Sequence, residues 1–86
     1  MIKLILYTTL GCHLCEQARE IIKHSKYSEY IELELTEIAD SDELTKRYGV
    51  SIPVVRLDGK EEEIGWPFDV ERFDGWFAES SVRHGG

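Results

Sequence analysis

Two cysteines stand close together in Cys12-His13-Leu14-Cys15. The thiolate is both the nucleophile and the metal ligand in cysteine chemistry. A pair at this spacing can therefore cycle between dithiol and disulfide, or supply half of a metal site. Position decides between these more than spelling does. The pair follows a short apolar run and opens a helical pattern, which puts Cys12 at a helix N-terminus. There, free backbone N–H groups and the positive end of the helix dipole stabilise an anion and lower the pKa of a thiol. Cys15 lies one turn on, close enough to bond to Cys12, and its N–H or S–H can donate to the Cys12 sulfur. Exposure then assigns the roles. Cys12, at the tip, is the attacking cysteine. Cys15 shares a helical stripe with Ala18 and Ile22, faces the core, and is the resolving cysteine.

Two other accounts bear on the same residues. Unrelated core cysteines would look alike in composition, since free Cys is often buried; the strand–turn–helix setting favours redox chemistry instead. A structural zinc site needs four ligands, and the chain offers two Cys and three His. His13 points elsewhere on its helix, His24 is about three turns away, and His84 is near the C-terminus. A zinc site within one chain is not expected. An iron–sulfur cluster shared by two chains, with two cysteines from each, stays open as an alternative.

The rest of the composition narrows the setting. With 86 residues, 42% of them apolar, the chain makes one small domain with a limited core, and it is too apolar and aromatic to be disordered. Ten Lys and Arg against seventeen Asp and Glu give −7, with no basic cluster. Nucleic acid and anionic lipid are therefore not expected partners. A pair of cysteines does not make a disulfide scaffold. No segment approaches the ~18 apolar residues of a membrane span. The opening Met1–Tyr7 is too short for a signal peptide and no small-x-small site follows. A cytosolic, reducing setting and a monomer are expected, and there a close cysteine pair is catalytic or metal-binding rather than structural.

The elements that must position the pair can be read along the chain. Ile2–Tyr7 is a strand buried on both faces. A helix runs from about Cys12 to Ser25, with Glu16, Gln17, Glu20 and Lys23 facing out. Ile31–Leu35 alternates strictly, giving a strand with one acidic face, suited to a sheet edge. Asp40 opens a second helix, with Glu43 as a capping-box partner, and Gly49 stops it. Pro53–Leu57 is a third strand. Asp58-Gly59 is a type I′ hairpin signal, and Lys60–Ile64 returns as a weak fourth strand. Asp69 caps a last helix bearing Val70, Phe73, Trp76 and Phe77. Residues 1–79 form the domain, and Ser80–Gly86 is expected to fray. The order is β-α-β-α-β-β-α. The first β-α-β joins parallel strands and the tight turn joins antiparallel ones, so a mixed four-stranded sheet with three flanking helices follows.

These residues resemble the glutaredoxins, a branch of the thioredoxin-like superfamily, and most of all its short bacterial glutaredoxin-like members. The likeness rests on Leu4-Ile5-Leu6-Tyr7-Thr8-Thr9, Gly11-Cys12-His13-Leu14-Cys15 and Tyr48-Gly49-Val50-Ser51-Ile52-Pro53-Val54, and runs from Met1 to about Glu79. It implies a thioredoxin fold with strands in the order second-first-third-fourth. It also implies that Pro53 is cis and packs beside the cysteine pair, turning the Ile52 backbone toward a substrate chain. The residues alone also allow a trans proline at the start of a strand. The activity implied is thiol–disulfide oxidation and reduction through a Cys12–Cys15 disulfide. It needs no bound cofactor, uses a thiol reductant system, and takes protein disulfides as substrates. His13, Leu14, Ser51, Ile52, Pro53, Trp66 and Asp69 become the substrate-binding candidates. A redox adaptor or cluster carrier on the same fold is the alternative.

The chain departs from glutathione-using members at several points. Thr8 and Thr9 stand where a basic residue is usual, Leu14 where an aromatic is, and Ser51 where Thr is common. Gly65 is followed by Trp66 rather than a second glycine, while Asp69 can fill the acidic role. The glutathione site is half present. Its remaining donors would be the Ile52 backbone, Ser51 and amides near Asp69, so poor turnover with glutathione is expected. Trp66-Pro67-Phe68 reads either as a recognition platform or as a plug over the core. Glu61-Glu62-Glu63 reads as a solvated face or a docking patch for a basic partner. Tyr7 reads as packing.

Overall fold

A computed structural model of the chain describes residues 1–82. The elements follow one another as β1 (Ile2–Thr8), α1 (His13–Lys23), β2 (Ile31–Glu37), α2 (Asp42–Tyr48), β3 (Val54–Leu57), β4 (Glu63–Gly65) and α3 (Val70–Val82), with 3₁₀ turns at Ser28–Tyr30 and Ile38–Asp40. The sheet order is β2-β1-β3-β4. β1 is parallel to β2 and antiparallel to β3, and β4 is antiparallel to β3.

β1 is thus an inner strand, which is why its apolar run is unbroken. Leu4 and Leu6 point to one face, where α1 supplies Ala18 and Ile22 and α3 supplies Phe73 and Phe77. Ile5 and Tyr7 point to the other, where they meet Tyr48 of α2, Ile38 and Val54. β2 is an edge strand, with Glu32 and Glu34 exposed and Lys3 paired to Glu34 at 2.9 Å.

Several boundaries and one turn differ from the sequence expectations. α2 is capped by Ser41, whose hydroxyl accepts the Leu44 N–H at 3.2 Å, while Asp40 falls in the preceding 3₁₀ turn. No Glu stands at the position a capping box needs; Asp42 and Glu43 instead face the helix dipole. Gly49 keeps right-handed backbone at φ −49°, so it is not a left-handed stop; a Cβ there would collide with the Thr45 carbonyl oxygen. The Asp58-Gly59 turn is not type I′, because that type needs positive φ at both residues and only Gly59, at +80°, has it. With the Lys60 N–H on the Leu57 carbonyl at 3.1 Å, the turn has the type II pattern. Ladder pairing resumes only at Arg56 and Glu63, so β4 is shorter than expected and Glu61 and Glu62 lie outside it. Finally, α3 continues through Val82, and Ser80 is buried rather than frayed. Lys60 Nζ donates to the Ser80 carbonyl at 3.4 Å, a favourable place for a cation near a helix C-terminus. The remainder of the expected tail, residues 83–86 with His84, lies outside the described residues. No described helix is long and apolar enough to cross a membrane.

Candidate active site around the cysteine pair

Strand register gathers the relevant loops at one end of the sheet. Thr8 pairs with Glu37 at the end of β2, Tyr7 with Val54 at the start of β3, and Val54 with Gly65 at the end of β4. The segments that follow β1 and β4 and the one that precedes β3 therefore emerge side by side. They carry Cys12, Trp66 and Pro53.

The turn from β1 into α1 depends on Gly11, whose φ of +76° lies in the region that side chains avoid. The Cys12 N–H reaches the Thr9 carbonyl at 3.3 Å. Cys12 is then the N-cap of α1, and its sulfur accepts the Cys15 N–H at 3.2 Å. Cys12 and Cys15 are joined as a disulfide, with Cα atoms 5.2 Å apart. Their environments are unequal. Cys15 is only 2% exposed and sits on the α1 stripe with Ala18 and Ile22, whereas Cys12 is half-buried at the tip. In the reduced pair, the same N–H and the helix terminus would hold a Cys12 thiolate.

His13 and Leu14 are both exposed beside Cys12. His13 Nδ1 lies 3.8 Å from the Glu16 carboxylate, so the imidazole leans toward an acid. The Ile52–Pro53 bond is cis and Pro53 is fully buried. Trp66 joins this point directly, since its N–H donates to the Pro53 carbonyl at 3.0 Å. Its ring packs edge-on to Phe68, with centroids 5.2 Å apart, and lies half-buried against the core. It covers the core as well as bordering Pro53. The Trp66–Pro67 bond is also cis, which the sequence does not signal.

The expected glutathione donors are placed otherwise. The Ser51 and Ile52 N–H groups both donate to the Tyr48 carbonyl, at 2.8 and 3.1 Å, because the chain closes a last turn after α2. The Asp69 carboxylate accepts the Arg72 N–H at 2.8 Å and so caps α3.

Two residues join the site that the sequence does not single out. Glu37, at the end of β2, accepts the Leu10 N–H at 3.1 Å and the Ala39 N–H at 2.9 Å. Those bonds, with one from Thr9, hold its carboxyl below the usual carboxylate range, the Ala39 N–H contributing most. The loop that presents Cys12 is thereby tied to the neighbouring strand. No local signal links residues so far apart in sequence; the parallel register does. Arg19 lines a groove of about 230 Å³ together with Cys12, Cys15, Leu35 and Glu37. Its signal was available: residues 12, 15, 16 and 19 share one helical face. Among the described residues, no three metal-ligating side chains converge.

Comparison with known proteins agrees with this geometry. The profile of the "Glutaredoxin-like domain (DUF836)" family matches residues 3–78. The crystal structure of the protein XcR50 from X. campestris is 34% identical, with a TM-score of 0.77 over 88% of this chain and 96% of that one. The solution structure of XcR50 is 33% identical, with a TM-score of 0.75 over 92% of this chain and 95% of that one. Among curated proteins, none matches the chain. A thioredoxin-like α/β fold, a Cys-x-x-Cys at a helix N-terminus and a profile match across nearly the whole sequence lead to one conclusion: the chain belongs to the glutaredoxin-like domain family.

Proposed function

We propose that this protein is a thiol–disulfide oxidoreductase that reduces disulfides of other proteins. The observation that carries this is the asymmetry of the pair, with Cys12 accessible at the N-cap of α1 and Cys15 buried one turn behind it. In the reduced protein, the Cys12 thiolate attacks one sulfur of a substrate disulfide. The Cys12–substrate bond forms as the substrate S–S bond breaks, and the departing sulfur takes a proton from solvent. Cys15 then loses its proton and attacks the Cys12 sulfur. The Cys12–Cys15 disulfide forms and the second substrate thiolate leaves. Two electrons have moved to the substrate, and a separate thiol reductant system restores the dithiol. No bound cofactor enters the cycle, which suits a monomer in a reducing compartment such as the cytosol.

Glutathione is a poor fit as the direct partner. It carries two carboxylates and would need cations or free N–H donors. The amides of Ser51 and Ile52 are committed to Tyr48, which leaves Arg19, in the groove at the cysteines, as one cation for two carboxylates. The net charge of −7 also weakens the long-range steering of a free anion toward the protein.

The test is turnover of a protein disulfide with the cysteine variants. Cys12→Ser should abolish reduction, and Cys15→Ser should accumulate a mixed disulfide through Cys12. Equal alkylation of both reduced thiols by a bulky reagent would overturn the division of roles. Robust wild-type turnover of glutathione mixed disulfides, saturating in glutathione, would place the protein with ordinary glutaredoxins instead.

A further inference from the structure

The sheet is wider than the helix layer at the β2 edge, and this leaves a seam beside the cysteines. Ile31, Leu33 and Leu35 all face the α1 side, and cover thins along the strand: Ile31 is 9% exposed, Leu33 half-buried and Leu35 45% exposed. The least covered residue is thus nearest the cysteine end. Two depressions, each of about 230 Å³, follow this seam. One opens at Cys12 and Cys15 over Leu35; the other lies over Leu33, Ile22 and Ile31. Arg19 lines both.

Arg19 has acids on both sides of it along the helix, and Glu16, Glu20 and Glu37 line the same depressions, but none of the three is ion-paired to it. Glu16 lies against His13 at 3.8 Å and Glu20 against Lys23 at 3.7 Å. Among the described residues, no ion pair joins Arg19 to a carboxylate. An exposed guanidinium without an ion pair, beside Leu33 and Leu35 and continuous with a reactive disulfide, is equipped to read an anion on whatever lies in the seam. Among the described residues, no strand neighbours the outer edge of β2, so an extended segment can lie along it. A second copy of this chain is a poor occupant, because edge-to-edge pairing would set Glu32 and Glu34 against their own copies.

We propose that the α1–β2 seam receives the extended segment flanking the reactive cysteine of a protein substrate, and that Arg19 selects segments that carry a carboxylate there. This rests on the oxidoreductase activity proposed above and names its substrate preference. The spacing can be stated. From Cys12 to Arg19 the helix rises roughly 10 Å, which an extended chain covers in about three residues. The preferred substrate therefore has Asp or Glu about three residues from its cysteine.

The experiment uses the Cys15→Ser protein and short peptides whose cysteine is activated as a mixed disulfide with thionitrobenzoate. The Cys12 thiolate attacks the peptide sulfur, a Cys12–peptide disulfide forms, and thionitrobenzoate leaves as the coloured thiolate. One peptide pair carries Asp or Asn three residues before the cysteine; a second pair carries them three residues after it. In at least one pair, adding Arg19→Gln should lower the Asp-to-Asn rate ratio about threefold, as for an exposed ion pair, and Arg19→Glu should lower it further. High salt should remove the difference. Lys46→Gln, on the distant α2, should leave the ratio unchanged. A ratio indifferent to both Arg19 substitutions in both peptide pairs would overturn the proposal. Because any accessible thiolate reacts with these peptides, that result is separate from failure of the wild-type dithiol to turn over protein disulfides, which would count against the activity itself.

Discussion

Against α1 and α3 the sheet buries Leu4, Leu6, Val55, Leu57 and Ile64 under Phe73 and Phe77, a cluster whose buried members are all apolar. Against α2 it buries far less, and two of the residues are tyrosines. Tyr7 and Tyr48 stack with centroids 4.2 Å apart. Their hydroxyls are not left dry: Arg56 Nε donates to Tyr7 Oη at 3.0 Å and Tyr48 Oη donates to Glu63 at 3.0 Å. The cause is length. α2 has seven residues, too few to seal its half of the sheet, so amphipathic side chains close the gap with apolar bodies and wet ends. The difference bears on the site. Cys15 is anchored on the α1 stripe that packs into the dry half, while Ile52 packs against the tyrosine half. Cys15 is held in the more extensively packed region, and the chain leading to Pro53 leaves the smaller one.

Truncation should separate the two halves. Phe73 is completely buried in the dry core, and Phe73→Ala should cost about 3–5 kcal/mol in denaturant unfolding. Tyr48→Phe keeps the stacked ring and removes only the hydroxyl bond to Glu63, at a cost of about 1 kcal/mol. Comparable losses from the two would erase the contrast between the two halves.

The tyrosine half should also be the alkali-sensitive one. Burial, then the hydrogen bond to Glu63, pushes the Tyr48 phenol up to about 12. The neutral phenol is therefore favoured by folding. Its contribution is complete below the ordinary tyrosine value near 10 and is lost as pH rises through about 12. Unfolding midpoints followed across that window should fall more steeply for wild type than for Tyr48→Phe. Parallel curves would mean that Tyr48 is not the group responsible.

The smallest effect is expected at Glu37, on the exposed seam. Hydrogen bonds to the ionised carboxylate lower its pKa, so its contribution is present above the ordinary glutamate range and is lost as pH falls through the folded value. Glu37→Gln should flatten that acid limb and speed hydrogen exchange of the Leu10 amide, with little change in global stability. An unchanged exchange rate at Leu10 would show that the loop before Cys12 is held by something else.

Much of this architecture could be read along the chain because its causes are local. An unbroken apolar run made β1 an inner strand, strict alternation made β2 an edge, and the Asp69 cap and aromatic stripe marked α3. The boundaries that moved did so for equally physical reasons. Ser41 rather than Asp40 caps α2 because the 3₁₀ turn at Ile38–Asp40 sets where the helix can begin. The reversal at Asp58-Gly59 became type II because only the glycine takes positive φ.

The site divides in the same way. Cys12 and Cys15, their order of exposure and the thiolate-favouring helix terminus were all determined by the sequence, since one helical turn contains every atom involved. Glu37 on the Leu10 amide, Trp66 on the Pro53 carbonyl and the withdrawal of the Ser51 and Ile52 amides to Tyr48 were decided only in the folded chain. So was the seam at Arg19, which exists because α1 covers β1 and leaves the outer part of β2 bare. Contacts of this kind depend on strand register and layer width, and those are properties of the packed sheet rather than of any one segment.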